Sequence, residues 1–230
     1  EIRLSLVGSE MCIRDRCVLV FHCSPVDDNG TDLPRVHRHL CPDYDVCFTY
    51  QTDGRPFGDT DMNLLFNSAD VYINLASNEG FGLGSAEALT VGTPIIVNVT
   101  GGLQDQCGFK KDGKFLTAED YVELGSNHKG TYTEHGEWVF PVYPTNRSLQ
   151  GSPMTPYIFD DRCQPEDAAV QLKKLYDLGR EERKRLGSLG TEYCKENLMT
   201  SKAMGQEFIS SMNGAFDNWK PKEKYTMEAV

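Results

Sequence analysis

Two glutamates, Glu79 and Glu87, bracket a glycine-rich stretch that reads Glu79-Gly80-Phe81-Gly82-Leu83-Gly84-Ser85-Ala86-Glu87. A carboxylate accepts hydrogen bonds without competing as a donor, which suits it to vicinal hydroxyls. The stretch lies between an apolar run ending at Leu75 and a helix-like run from Ala86 to Val91, so it reads as a strand-to-helix turn. Glycines let the backbone pass close to a ligand, and the first turn of a helix presents unpaired N–H groups with positive dipole character. Amides of Phe81, Gly82 and Leu83 at such a turn suit diphosphate oxygens or sugar hydroxyls. Taken singly, Glu87 reads equally well as a helix-surface residue and Glu79 as a carboxylate near a helix start. Their combination with Phe81 and the glycines favours a ligand site.

The residues that follow extend the pattern. A helix ends at Gly92, the chain restarts as a strand after Gly92-Thr93-Pro94, and Gly101-Gly102 breaks it again. The whole block from Leu64 to Gly102 resembles the nucleotide-sugar-binding signature of retaining glycosyltransferases of the GT-B fold, family 4 type. The resemblance rests on Ala69-Asp70-Val71, Ser77, Glu79 to Leu83, Glu87, Gly92-Thr93-Pro94 and Gly101-Gly102, in that order over about forty residues. It implies the donor-binding half of a two-domain enzyme that transfers a hexose from a nucleotide diphosphate sugar to an unidentified acceptor. Glu79 would be the catalytic carboxylate at the sugar, and Glu87 would hold the ribose hydroxyls. Gly80, Phe81, Gly82, Leu83 and Gly84 would line the donor, with no metal or other cofactor. The sequence departs from the family at Gly84, where proline is more usual, which leaves the rigidity of the loop to be explained. Tyr50 and Gln51, after the preceding strand, are placed beside the base.

The family also carries a basic pair ahead of the first strand of this domain, and an acceptor-binding N-terminal domain before that. Neither is found in these residues, so the expected partner is that domain of the same protein, and the fragment alone is expected to turn over poorly. Two other readings stay open: a non-catalytic nucleotide-sugar-binding or interaction module, and a GT-B fold sugar-nucleotide epimerase.

Bulk properties narrow the classes. The 230 residues carry a formal net charge of −11, which disfavours nucleic acid and anionic membranes as partners, since both are held through Lys and Arg clusters. No apolar run approaches the roughly 20 residues of a membrane span. Eight cysteines (Cys12, Cys17, Cys23, Cys41, Cys47, Cys107, Cys163 and Cys194) are scattered without a C-x-x-C pair and read as reduced thiols of a cytoplasmic protein. His37-Arg38-His39 with Cys41 lacks a second ligand group at zinc spacing and reads as an exposed helix end. Asp59-Thr60-Asp61 matches the D-x-D of metal-dependent glycosyltransferases, but helix capping by Asp61 explains it more simply. The sequons at Asn98 and Asn146 are read as chance.

These residues need a scaffold. Residues 1–16 resemble translated adapter sequence and are set aside from fold reasoning. Residues 17–220 are read as the nucleotide-sugar-binding domain, 105–163 as an irregular insertion, and 221–230 as a tail. Val18 to His22, Val46 to Tyr50, Val71 to Leu75 and Ile95 to Val99 read as strands, the first as a buried one. A helix capped by Asp32 with Pro34 in its first turn, one begun by Asp61, and the Glu87 helix alternate with them. That alternation predicts an α/β fold with a doubly wound, Rossmann-like parallel sheet, one half of a GT-B pair, whose ligands settle beyond the carboxyl ends of the strands. The stretch 105–163, rich in glycine, proline and aromatics, reads either as a lid or contact surface or as an excursion stapled by Trp138 and Phe140. Helices return at Pro165. The recurrence of Met204, Phe208, Met212 and Phe216 predicts a stripe packed into the core, on a helix that the resemblance sends back toward the partner domain.

Overall fold

A computed structural model describes residues 17–27, 30–49, 57–121, 124, 126–197 and 199–221. Residues 1–16, Tyr50 and Gln51, and all but the first residue of the 221–230 tail lie outside them. The described chain is α/β. Strand β1 (Leu19–Phe21) pairs in parallel with β2 (Val46–Phe48), and helix α1 (Leu33–Leu40) connects them. The helix begins where the sequence placed it: the Asp32 carboxylate accepts from Arg35 N at 2.9 Å, and Pro34 occupies the first turn, where its missing N–H costs nothing. Stacking of Phe21 on Phe48, with ring centroids 5.5 Å apart, holds the pair together. β1 is not the buried strand its composition predicts. Leu19 and Val20 are 46% and 42% exposed, because a continuous apolar run is buried only where both faces are covered. The described residues cover these faces in part.

The core lies in a second sheet, with strand order β3 (Tyr72–Asn74), β4 (Ile95–Asn98), β7 (Val139–Val142), all parallel. All four residues of β4 are buried, as expected for a central strand of a parallel sheet. Helix α2 (Asp59–Ser68) leads into β3, and α3 (Leu83–Thr90) joins β3 to β4. The helix starts earlier than predicted, with Gly58 rather than Asp61 as its cap; Asp61 lies in the first turn and its carboxylate accepts from Gly58 N at 3.1 Å. The central cluster gathers Leu89, Ile95, Val97, Val99, Leu103, Cys107, Phe109, Trp138 and Tyr193. Burial of each large aliphatic member contributes roughly 1.5–3 kcal/mol.

Regular structure runs through 105–163, contrary to the expectation of an irregular insertion. Helix α4 (Leu103–Gln106) is followed by the short antiparallel pair β5 (Lys110–Lys111) and β6 (Lys114–Phe115) and by helix α5 (Ala118–Tyr121). Strand β7 then joins the core sheet, and β8 (Asn146–Ser152) and β9 (Thr155–Arg162) form an antiparallel hairpin. Pro141 concealed β7 in the sequence, because proline is a poor member of a central strand. Here β7 is an edge, where a missing N–H is tolerated, and Pro141 O accepts from Gln171 Nε2 at 2.8 Å. Trp138 is buried against Tyr193, ring centroids 4.5 Å apart, and its indole N–H donates to Gln106 O at 3.0 Å.

Three helices close the chain: α6 (Pro165–Asp177), α7 (Gly179–Glu196) and α8 (Ser201–Asn218). Helix α7 packs on the core through Leu186, Tyr193 and Cys194. It crosses the end of α3 so closely that a Cβ on Gly187 would overlap Gly92 O, while Thr191 Oγ1 donates to Leu89 O at 2.9 Å. The stripe on α8 is not core. Met204, Phe208, Met212 and Phe216 are exposed, and α8 has no buried residue. Helical periodicity identifies a face that seeks cover but not what supplies it.

Gly187→Ala is therefore expected to destabilise the chain by roughly 1–3 kcal/mol through overpacking, lowering the urea midpoint. Phe216→Ser is expected to change stability by no more than about 0.5 kcal/mol. Comparable losses for the two would mean that α8 is packed in solution.

Candidate functional site

The turn between β3 and α3 sits at the carboxyl end of the core sheet. Its exit from β3 is fixed by Asn74, whose Oδ1 accepts from Ala76 N at 3.0 Å, and by Asn98, whose Nδ2 donates to Ala76 O at 2.9 Å. Gly82 caps α3 with φ 84° and ψ 61°, a left-handed conformation that favours glycine. A Cβ there would also lie 2.5 Å from Leu103 Cδ2, so both conformation and space demand glycine.

Two devices hold the turn from below. Gly102 N donates to Glu79 O at 3.0 Å, and a Cβ on Gly102 would strike Gly80 O and lie 2.7 Å from Phe81 Cα. The buried side chain of Gln106 donates to the carbonyls of Phe81 and Gly82, the latter at 3.0 Å. With its carbonyls turned down to Gln106, the turn leaves its N–H groups free. Ser85 N and Ala86 N bond Gly82 O at 3.1 and 3.2 Å, while the N–H groups of residues 80–84 have no hydrogen-bond partner among the described residues. A short row of amides at the positive end of a helix is what an anionic or hydroxyl-rich ligand requires.

The two glutamates flank the opening of α3, Glu79 in the turn and Glu87 on the helix itself. Tyr72, on β3, places its hydroxyl under Gly84, where a Cβ would overlap it and approach the ring carbon Cζ to 2.9 Å. The ionisation of this phenol is pushed above its ordinary range, first by burial, then by the negative charges of Glu79 and of Glu87. Glu79 is half-buried at the turn, and Glu87 is exposed on α3. Phe81 and Leu83 stand exposed at the rim, so the turn is open to solvent rather than walled in.

Glu79, Gly80, Phe81 and Gly82 form the turn, and Leu83, Gly84 and Glu87 lie on the helix it opens. Tyr50 and Gln51 lie outside the described residues. The glycine at 84 has its reason in Tyr72, and the turn is bonded from below by Gln106 and Gly102. Sequence reasoning passed over Tyr72, Gln106, Asn98 and Thr100. Tyr72 and Asn74 alternate on β3 toward the turn, and that alternation was the available signal. Gln106 had none, since its role depends on α4 docking under the turn. Asn98 of the first sequon is fully buried, with its side-chain amide bonded to Ala76 O and Asp161 O, and it is not a surface acceptor. Among the described residues no three His, Cys, Asp or Glu side chains gather as a metal-binding group, and none of the described cysteines is paired. Burial pushes the Cys194 thiol up to about 11, which keeps it a packed, uncharged side chain. No helix among the described residues is long and apolar enough to cross a membrane.

Residues 56–124 match the family model described as glycosyl transferases group 1. The match covers under a third of the chain, and it contains the turn, both glutamates, Tyr72 and Gln106. It supports a glycosyltransferase domain in this region. A search of curated proteins found no match.

Tyr72 supplies a titration test of where the two carboxylates face. In the folded chain the neutral Tyr72 phenol is favoured, so the unfolded state loses this proton first as pH rises. The stability linked to Tyr72 is then present in full below about pH 10 and declines above it. Ring-labelled tyrosine NMR is expected to show the Tyr72 titration above that of free tyrosine. It should move down with either Glu79→Gln or Glu87→Gln and furthest with both, while the part due to burial persists. A titration indifferent to one glutamate would mean that its carboxylate faces away.

Proposed function

We propose that this chain is the donor-binding half of a GT-B fold, family 4 type glycosyltransferase, which transfers a hexose from a nucleotide diphosphate sugar with retention of configuration. The observation that carries the reading is the row of N–H groups at residues 80–84, unpaired among the described residues, at the start of the helix that bears Glu87 and next to Glu79. The group 1 glycosyltransferase match over the same residues supports it.

In this reading the amides of Phe81, Gly82 and Leu83 meet the diphosphate and sugar oxygens. The bond from the anomeric carbon to the diphosphate breaks with its electron pair leaving on phosphate oxygen, while the acceptor hydroxyl oxygen bonds to that carbon from the same face and its proton passes to the departing diphosphate. Preorganised N–H dipoles at a helix start stabilise that developing charge without having to reorient. Glu79 accepts from sugar hydroxyls and sets the anomeric carbon, and Glu87 accepts from the two ribose hydroxyls. Positioning and fixed dipoles supply most of what such a transfer needs, since the protein forms no covalent bond in this scheme. No metal enters it. The acceptor, and the cations that would balance the leaving diphosphate, belong to a facing N-terminal domain of the same protein.

Titration calorimetry with uridine and guanosine diphosphate sugars tests the proposal. One of them is expected to bind, and Glu87→Ala should weaken both that conjugate and its bare nucleoside diphosphate by roughly tenfold or more, through loss of two charge-assisted hydrogen bonds. Failure of every nucleotide to bind would favour an interaction module instead.

A further inference from the structure

The hairpin β8–β9 carries one buried side chain among its described residues, and that side chain is a carboxylate. Asp161 is fully buried, whereas its neighbours Tyr157, Ile158 and Phe159 are 60%, 47% and 51% exposed. A hairpin could be fastened to a domain by apolar contacts at lower desolvation cost. This one is fastened by polar bonds aimed at a particular place. Asp161 N donates to Ser77 O at 2.7 Å, Asn98 Nδ2 donates to Asp161 O at 2.8 Å, and Thr100 Oγ1 donates to Asp161 Oδ2 at 2.9 Å. Asp161 Oδ1 has no hydrogen-bond partner among the described residues, and the Arg147 guanidinium Nε stands 3.7 Å away. Arg147 pairs with Asp161 across the hairpin and lies over the Phe159 ring, 4.4 Å from its centroid.

These bonds join the two strand exits that shape the site. Ser77 lies two residues before Glu79, and Asn98 bonds Ala76 O as well as Asp161 O. Thr100 lies two residues before Gly102, whose N–H holds Glu79 O from the other side. The residue carrying the Glu79 carboxylate is thus suspended between two segments that both terminate on Asp161. Glu87 is not, since it rides on α3 and reaches the site through the helix.

We infer that Asp161 is a positioning residue for Glu79: through Thr100 and Ser77 it sets the part of the site that takes the sugar, and it leaves the nucleoside-binding part alone. The inference rests on the proposed donor site and deepens it. It assigns the hairpin a role in recognising the transferred group, a role that Glu79 alone does not explain.

The test compares, on the whole chain, the affinity for the best-bound nucleotide sugar with that for its bare nucleoside diphosphate. Thr100→Val and Asp161→Ala are each expected to weaken the conjugate roughly tenfold while changing the bare diphosphate by no more than about twofold. The double variant should be no weaker than the worse single one, because both changes break the same link. Asp161→Asn keeps an acceptor for Thr100 and should recover most of the loss. Equal losses for both ligands, an unchanged ratio, or an asparagine variant no better than alanine would each overturn the inference. If Asp161→Ala does not fold, Thr100→Val carries the comparison, as it removes one hydroxyl at constant shape. Absence of nucleotide binding by the wild-type chain would instead defeat the donor-site proposal, and this inference with it. Wild-type binding with an unaltered ratio defeats the inference alone.

Discussion

The backbone of Gly101 and Gly102 lies against that of Glu79 and Gly80 at a separation that leaves no room for a Cβ. That contact brings the exit of β4 under the exit of β3, with Gly102 N bonded to Glu79 O, and the rest of the site is arranged around it. Because the turn cannot sink further, its carbonyls are met from below by Gln106 and its N–H groups face out. Because α3 must start at that height, Gly82 adopts a left-handed conformation to turn the chain into it. An ordinary pair of residues at 101 and 102 would push the turn off the sheet.

Around this contact the polar side chains fall into two populations. Gln104, Gln106, Asn98, Thr100 and Asp161 are buried and spend their hydrogen bonds on backbone groups and on one another. Gln104 donates to Gly101 O and Ser126 O and accepts from His128 N, which ties residues 126–128 to the same corner. Burial of such groups is costly unless they are paired, so their clustering marks a place where position matters more than hydrophobic gain. Glu79 and Glu87, by contrast, are half-buried and exposed.

The outer parts of the chain follow a different logic. The hairpin β8–β9 and helix α8 both expose apolar side chains, yet the hairpin is bonded into the strand exits through Asp161, while α8 has no buried residue. Hydrophobic pattern encodes a demand for burial, and the demand on α8 is not met within the described residues. The glycine- and proline-rich composition of 105–163 concealed the opposite case, where Pro141 sits in a strand that completes the core sheet as its edge.

What the sequence determined by itself is local. Asp32 caps a helix, Asp61 lies in the first turn of another, Pro165 starts one, Gly80 to Gly82 make a turn ahead of α3, and the spacing of Glu79 and Glu87 puts two carboxylates near it, because caps, turns and helical spacing depend on neighbours a few residues apart. Tertiary structure decided the rest. It set Tyr72 under Gly84, Gln106 as the clamp, and Asp161, more than sixty positions from Thr100, as the tie between strand exits. Such pairings are set by which surfaces meet when the sheet closes, and a buried hydrogen bond over that distance leaves no periodic trace in the chain.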